Sequence, residues 1–154
     1  MHIPEANIRS PSYYIAQTQA QCPHCGQRGR VLALALPPNH EMLVDGRWQT
    51  AGAHAFIFYV AELPQAVSRR LNDLSPGFRL ARGESQANLY WANHCKHCDR
   101  MFSDDDLHCE PGGFMPTQVE EAEAIHLSHV RQGFSAIAAG YALDPEFFEL
   151  MRKR

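Results

Sequence analysis

The chain has 154 residues, of which 45% are hydrophobic and 20% are charged. This balance is typical of a single globular domain with its own core and excludes a disordered chain. No apolar run approaches the roughly 20 residues that a membrane-spanning helix needs, and the N-terminal sequence shows no signal peptide. We therefore expect a soluble, cytoplasmic protein that does not associate with membranes.

The net charge of −3 conceals an uneven distribution along the chain. Residues 64–103 contain six Lys or Arg and three Asp or Glu, whereas residues 104–149 contain one Arg and ten acidic residues. A strong nucleic-acid-binding protein usually has a dominant basic surface. The charge pattern therefore disfavours that class, although a local basic patch remains.

The first half of the chain is predicted to be rich in β-strands. Residues 1–12 are polar, contain two prolines and are expected to form an arm over the surface of a single domain at residues 13–154. The stretches "YYIAQTQAQ", "RVLALALP" and "AHAFIFYVAEL" have the apolar, β-branched or aromatic character of strands. Asp45-Gly46 lies between apolar residues and predicts a hairpin turn.

Helical signals appear in the second half. Apolar residues recur at helical spacing between Leu63 and Leu74, and a capping box at Thr117-x-x-Glu120 predicts a short acidic helix. The stretch "ANLYWANH" has strand character, and the alternating residues 124–130 favour a strand without excluding a helix. Asp144-Pro145 predicts the start of a final helix that ends in the basic tail. The elements together predict an α+β fold with a mostly antiparallel sheet and two or three short helices.

Four of the five cysteines form two CxxC pairs, Cys22 with Cys25 and Cys95 with Cys98. A two-residue spacer lets one tight turn direct two thiolates at one ion, and two such turns complete a tetrahedral shell that zinc favours. Gly26 and Asp99 follow the two pairs and tolerate the left-handed backbone that such turns require. We predict a structural zinc in a zinc-ribbon-like clip. Iron in the same site and a redox-active cysteine pair are the alternatives.

A catalytic metal centre is a further alternative. His94, His97, Asp104 to Asp106 and His108 surround the second pair and could serve a metal-dependent hydrolase. A catalytic zinc usually keeps one position open for water or substrate, whereas four cysteines close the shell. Cys109 is expected to be a free thiol, buried or half buried, without a catalytic role.

Two further segments are candidate binding surfaces. The acidic loop with Asp104, Asp105, Asp106, Glu110, Gly112 and Gly113 could contact a partner. The simpler interpretation is a solvated turn at the aspartates and a tight turn at the glycines that packs Phe114 into the core. Four arginines, Arg69, Arg70, Arg79 and Arg82, could bind nucleic acid together with nearby aromatic residues. An ordinary charged helix face is the simpler interpretation of these arginines.

The stretch "LYWANHCKHC…DDDLHCEPGGFMP", together with "YYIAQTQAQCPHCGQRGRVLALALP", resembles an uncharacterised group of bacterial zinc-ribbon-like proteins. The matching positions are Tyr90 to Asn93, the CxxC cysteines, Leu107, His108 and Glu110 to Gly113. The chain departs from the pattern at Asp99, where that group tends to have glycine. The resemblance implies a metal site and a bacterial origin, but no activity.

We expect a non-enzymatic protein that binds another protein as an adaptor, a regulator or an immunity-type inhibitor of a toxin. The acidic segment supports this expectation because an acidic face attracts and holds a basic partner. A nucleic-acid-associated zinc ribbon that uses residues 64–103 is the second hypothesis, and the metal-dependent hydrolase is the third.

Overall fold

The structure is a computed structural model that describes residues 6–82 and 89–153. The strands are β1 Ile8–Ser10, β2 Tyr13–Gln21, β3 Arg28–Leu36, β4 Glu41–Val44, β5 Arg47–Thr50, β6 Ala55–Glu62, β7 Arg79–Arg82, β8 Leu89–Ala92, β9 His126–Val130, β10 Phe134–Leu143 and β11 Arg152–Lys153. The helices are α1 Gln65–Leu74, α2 Asp104–His108 and α3 Val119–Glu123, with a 3-10 helix at Phe148–Leu150.

The strands of the described residues form one sheet in the order β11-β9-β2-β3-β6-β10-β1-β4-β5. Strand β8 pairs with β6 and carries β7 on its other side. The pairs are antiparallel, except that β11 lies parallel to β9. The predicted α+β class is confirmed: the sheet is mostly antiparallel, the helices are short and the four cysteines lie together.

The sheet is covered on both faces because its central strands carry apolar residues on both faces. In β3, Leu32, Leu34 and Leu36 pack on one side with α1, while Val31 and Ala33 pack on the other. The second side is closed by the cysteine turns, by α2 with the loop that follows it, and by the 3-10 helix. The four clustered cysteines therefore lie over one face of the sheet.

Several local predictions agree with the structure. The hairpin between β4 and β5 turns at Asp45 and Gly46, which both have positive φ. Helix α1 buries Val67 and Leu71, and residues 126–130 are a strand. Within the described residues, no helix is long and apolar enough to cross a membrane.

Three local predictions need correction. The arm predicted at residues 1–12 is a strand at Ile8–Ser10, which lies between β10 and β4 because Ile8 and Ser10 are buried there; residues 1–5 lie outside the described residues. Thr117 bonds Glu121 rather than Glu120, and helix α3 begins one residue later. The final helix predicted after Asp144-Pro145 is only a short 3-10 turn, because Arg152–Lys153 pairs with β9 as a strand.

Candidate metal centre

The two cysteine turns have the same local structure. In the first turn, the N–H of Gly26 donates to the Cys22 carbonyl at 2.9 Å; in the second, the N–H of Asp99 donates to the Cys95 carbonyl at 2.7 Å. Gly26 has φ 77° and Asp99 has φ 63°, so both occupy the left-handed region. An aspartate tolerates this conformation better than most side chains. The departure from glycine at Asp99 is therefore compatible with the turn.

The four sulfurs converge on one point. The Sγ atoms of Cys22 and Cys98 lie 3.6 Å apart, as do those of Cys25 and Cys95, and all four lie within 4.8 Å of one another. Four sulfurs at about 2.3 Å from a tetrahedral ion would lie about 3.8 Å apart. The arrangement therefore fits one metal ion with four thiolate ligands.

The backbone of each turn also favours thiolates. The N–H of His24 points at the sulfur of Cys22 and the N–H of His97 at the sulfur of Cys95, each at 3.4 Å. Hydrogen bonds from the backbone of Cys98 and His97 lower the pKa of Cys95 to about 7, whereas, against backbone hydrogen bonds, burial and the neighbouring thiols raise the pKa of Cys25 and Cys98. A thiol with a lowered pKa loses its proton to a metal ion more easily.

Asn93 fixes the approach of the second turn to the sheet. Its amide oxygen accepts from the N–H of Leu32 at 2.8 Å and its amide nitrogen donates to the Leu32 carbonyl at 2.9 Å. Strand β6 pairs with β3 only from Leu34 onward, so the Asn93 side chain replaces a neighbouring strand at Leu32. The motif "YWAN" thus has a structural reason, because Asn93 is buried and fully bonded.

Asp104 has a similar role on β6. Tyr59 has φ 50°, which kinks this strand, and the Oδ2 atom of Asp104 accepts from the Tyr59 N–H at 2.7 Å. Asp104 is only 5% exposed, and burial raises the pKa of its carboxyl to about 7. Asp104 is therefore not part of an open contact surface, whereas Asp105 and Asp106 are exposed.

The loop after α2 is a tight turn that secures the core. Gly112 and Gly113 have positive φ, and a Cβ on Gly113 would lie 2.9 Å from the Leu107 carbonyl. The N–H of Phe114 donates to that carbonyl at 2.8 Å, and Phe114 is buried. The two glycines thus permit a close approach that places Phe114 beneath the metal centre.

The residues of the hydrolase hypothesis do not form a second metal site. The ring of His108 stacks on Phe58 at 4.6 Å, and burial lowers the pKa of His108 to about 3. The Nδ1 atom of His94 faces the Gly77 carbonyl at 2.9 Å, and His97 is exposed on its turn. Among the described residues, the four cysteines are the group that could hold a metal ion.

Cys109 lies at the end of α2 and is exposed, so the expectation that this thiol is buried or half buried is wrong. Partial burial and the nearby carboxylates, Asp105 first, raise its pKa. The thiol is therefore protonated at neutral pH and is a weak nucleophile.

The four arginines of the sequence hypothesis do not share one site. Arg70 donates to the Tyr13 hydroxyl at 2.7 Å and to Gln132, whereas Arg79 bonds Asp99 of the second turn at 2.8 Å. Arg82 lies at the opposite end of β7 from Arg79. Arg79 instead lines a groove with Arg28, Arg30 and Lys96, which are distant in sequence.

A second groove shares Gln19, Arg28 and Phe102 with the first and includes Pro23 of the first cysteine turn. It has a cavity volume of about 670 Å³ and is bounded by the end of β2 on one side and by the loop after α2 and helix α3 on the other. Its acidic lining residues are Asp106, Glu110, Glu120 and Glu121. We call it the acidic groove. It includes Asp106, Glu110, Gly112 and Gly113 of the predicted contact surface, while the contribution of α3 and β2 was not evident from the sequence.

Comparison with known proteins gives no match: no family model, no curated protein and no solved structure is similar to this chain. The resemblance to bacterial zinc-ribbon-like proteins therefore stays a prediction. The function has to be inferred from the metal centre and the grooves themselves.

Proposed function

We propose that the protein is a non-enzymatic, zinc-stabilised binding protein whose acidic groove takes an extended, basic segment of a partner protein. The free edge of β2 within this groove is the observation that carries the proposal. Strand β9 pairs with β2 only as far as Gln17, whereas β2 continues to Gln21. Within the described part of the chain, residues Thr18 to Gln21 therefore have a neighbouring strand on one side only, which is β3.

The direction of the free backbone groups follows from the register. Leu32 lies opposite Gln17, and its N–H and carbonyl bond Asn93 on the side away from β2. Opposite residues of such a pair direct their backbone groups away from each other, and the pattern repeats every two residues. Gln19 and Gln21 therefore direct their N–H and carbonyl groups into the acidic groove.

These groups suit a partner segment that adds a short strand to the sheet. Main-chain hydrogen bonds to an exposed strand edge give affinity in this binding mode, and flanking side chains give specificity. The Gln19 carbonyl now accepts a weak bond from Arg28 at 3.3 Å, which an added strand would displace. The remaining edge groups have no hydrogen bond to residues 6–82 or 89–153.

The charge of the groove selects the partner. Asp106, Glu110 and Glu120 line the groove and are exposed, with Arg28 as the one cation among the lining residues. Like charges disfavour an acidic segment, whereas lysine or arginine side chains on alternate residues of an added strand would lie beside the carboxylates. An extended segment with alternating basic residues is therefore the best complement.

Zinc is the ion that we assign to the four cysteines. It accepts a tetrahedral shell of four thiolates without redox chemistry. Its role is structural, because it ties the end of β2 to the turn that Asn93 anchors on β3. We place the protein in the bacterial cytoplasm, where thiols stay reduced, as an adaptor, a regulator or an immunity-type inhibitor.

Fluorescence anisotropy tests the proposal with a labelled nine-residue peptide of alternating lysine and threonine. We expect binding at 50 mM NaCl with a dissociation constant of about 100 µM or tighter, and weaker binding at 300 mM NaCl because the charges are screened. A peptide with the same side chains but with N-methyl groups on alternate backbone nitrogens cannot add as a strand. It should bind at least about tenfold more weakly.

Matched variants locate the site. Glu110→Gln combined with Glu120→Gln should weaken peptide binding about tenfold, since two carboxylates are lost. Asp73→Asn combined with Glu146→Gln removes the same charge from exposed positions outside the groove and should change binding less than twofold. Equal binding of the N-methylated peptide, or equal losses in both double variants, would contradict the proposal.

A further inference from the structure

The groove that Arg79 lines with Arg28, Arg30 and Lys96 carries a site that the proposed function does not use. It has a cavity volume of about 630 Å³, within the usual range for small-molecule sites. Its walls are the first residues of β3, the turn after α1, the start of β7 and the second cysteine turn. We call it the basic groove.

Four cations and one carboxylate line the basic groove. The cations are Arg28, Arg30, Arg79 and Lys96, and the carboxylate is Asp99. Among the described residues, Asp99 is bonded to Arg79, and this salt bridge lowers the pKa of Asp99. The zinc–thiolate cluster has a formal charge of −2, but only one of its ligands, Cys95, lines this groove. The lining therefore retains a positive excess.

The bonds of the cations leave part of this charge available. Arg30 donates from one nitrogen to the carbonyl of Leu74, the last residue of α1, at 2.9 Å. Its other N–H groups have no hydrogen-bond partner among the described residues. Lys96 makes no hydrogen bond or ion pair with any residue in the ranges 6–82 and 89–153. Arginine forks and a lysine ammonium are the usual donors to phosphate oxygens.

The surroundings limit the size of the anion. Gln19, Arg28 and Phe102 line both grooves and form the wall between them, so the carboxylates of the acidic groove begin directly behind that wall. A long polyanion that leaves the basic groove across that wall would enter the acidic groove, whose carboxylates repel it. In addition, the aromatic ring on the lining, Phe102, is buried and offers no face for base stacking.

We propose that the basic groove binds a compact ligand with several phosphate groups, such as the oligophosphate of a nucleotide. Arg28, Arg30, Arg79 and Lys96 would hold the phosphate oxygens, and Asp99 would limit the affinity by competing for Arg79. This site shares Arg28 with the acidic groove, but its other cations, its probe and its variants are separate, so either proposal can fail alone.

Isothermal titration calorimetry with zinc-loaded protein tests the site, with inorganic tripolyphosphate as the probe. We expect a dissociation constant of about 100 µM or tighter at 50 mM NaCl. Arg79→Gln combined with Lys96→Gln should weaken it at least about tenfold. The control, Arg69→Gln combined with Arg82→Gln, removes the same charge outside the groove and should change it less than twofold.

Asp99→Asn provides a test with the opposite sign. Asparagine also tolerates the left-handed backbone at this position, so the cysteine turn is kept while the one carboxylate on the lining is removed. Tripolyphosphate should then bind about threefold more tightly. Loss of binding in the Arg79/Lys96 variant with gain in the Asp99 variant cannot arise from unfolding.

Two further ligands test whether the basic groove prefers a compact phosphate ligand to a nucleic acid. Magnesium-free ATP should bind in the same range as tripolyphosphate, and a ten-residue oligothymidylate should bind no more tightly than ATP. The proposal is overturned by no tripolyphosphate binding at 1 mM, by tighter binding of the oligonucleotide, or by equal losses in the control variant. It is also overturned if the Arg79/Lys96 variant loses zinc in proportion to tripolyphosphate binding, because the cations would then serve the metal cluster.

Discussion

Replacement of Asp104 by asparagine should stabilise the protein at neutral pH. Asparagine has the same shape and can still accept the hydrogen bond from the Tyr59 N–H through its amide oxygen. It lacks the charge that the 5% exposed site disfavours. The variant therefore separates the cost of a buried charge from the value of the hydrogen bond.

The size of the stabilisation expected for Asp104→Asn follows from the pKa of Asp104. Burial raises this pKa from its usual value of 3.8 to about 7. The hydrogen bond from the Tyr59 N–H lowers the pKa, but its effect is smaller than that of burial. Because the folded pKa lies above the unfolded one, the folded state binds more protons between these values, and its stability falls as the pH rises from about 4 to about 7. The difference between the folded and the unfolded pKa lowers the free energy of unfolding by about 4 kcal/mol above pH 7. The advantage of Asp104→Asn should therefore grow from pH 5 to pH 7 and stay constant above it.

Urea denaturation in excess zinc, at half-unit steps from pH 5 to pH 8.5, measures this profile. Asp106→Asn is the matched control, since it removes an exposed carboxylate from the same helix and leaves the buried one in place. An advantage of Asp104→Asn that is independent of pH, or a loss of stability at every pH, would refute the reasoning that the carboxyl is buried and shifted.

The remaining predictions concern the clip and the sheet. Cys98→Ser should lose the metal ion and the cooperative thermal transition, whereas Cys109→Ser should keep both in metal analysis and calorimetry; equal behaviour of the two variants would count against the clip. Asn93→Ala should cost about 3 kcal/mol in denaturant unfolding because both backbone groups of Leu32 lose their partner, and a cost below about 1 kcal/mol would show that water replaces it. Gly140→Ala should lower the free energy of unfolding by about 2 kcal/mol, since its Cβ would lie 2.2 Å from the Phe58 ring. Gly133→Ala is the control, because its Cβ would have nothing within 4 Å. Equal losses in the two variants would mean that the Phe58 ring moves freely.

Features that depend on a few neighbouring residues could be predicted from the sequence. The CxxC spacing identified all four cysteines, because a tight turn needs only local residues to direct two sulfurs. Asp45-Gly46 and the apolar stripe of α1 are likewise local patterns. The long separation of the cysteine pairs was compatible with a clip, although the sequence did not show which strands it joins.

Features that depend on tertiary contacts were missed. Strand β10 contains several alanines and a glycine, so its alternation is weak, and its pairing with β6 and β1 decides its conformation. Asp144 has φ 53° and therefore does not cap a final helix. The burial of Asp104 depends on the kink at Tyr59, which lies 45 residues earlier. No local pattern reports such contacts.

The grooves illustrate the same limit. The acidic groove joins Thr18 to Gln21 with residues about one hundred positions later, and the basic groove joins Arg28 and Arg30 with Arg79 and Lys96. Charge counts along the chain suggested an acidic and a basic segment. The topology decides which of those charges share a surface, and it divides the arginines that the sequence grouped together.

We propose that one zinc ion bound by four cysteines joins the two distant turns. X-ray absorption spectroscopy at the zinc edge and elemental analysis, both on protein purified without added metal, test this metal site. We expect one zinc per chain with four sulfur neighbours at about 2.3 Å. Nitrogen or oxygen in the shell, iron in place of zinc, or a disulfide between any two of the four cysteines would contradict it.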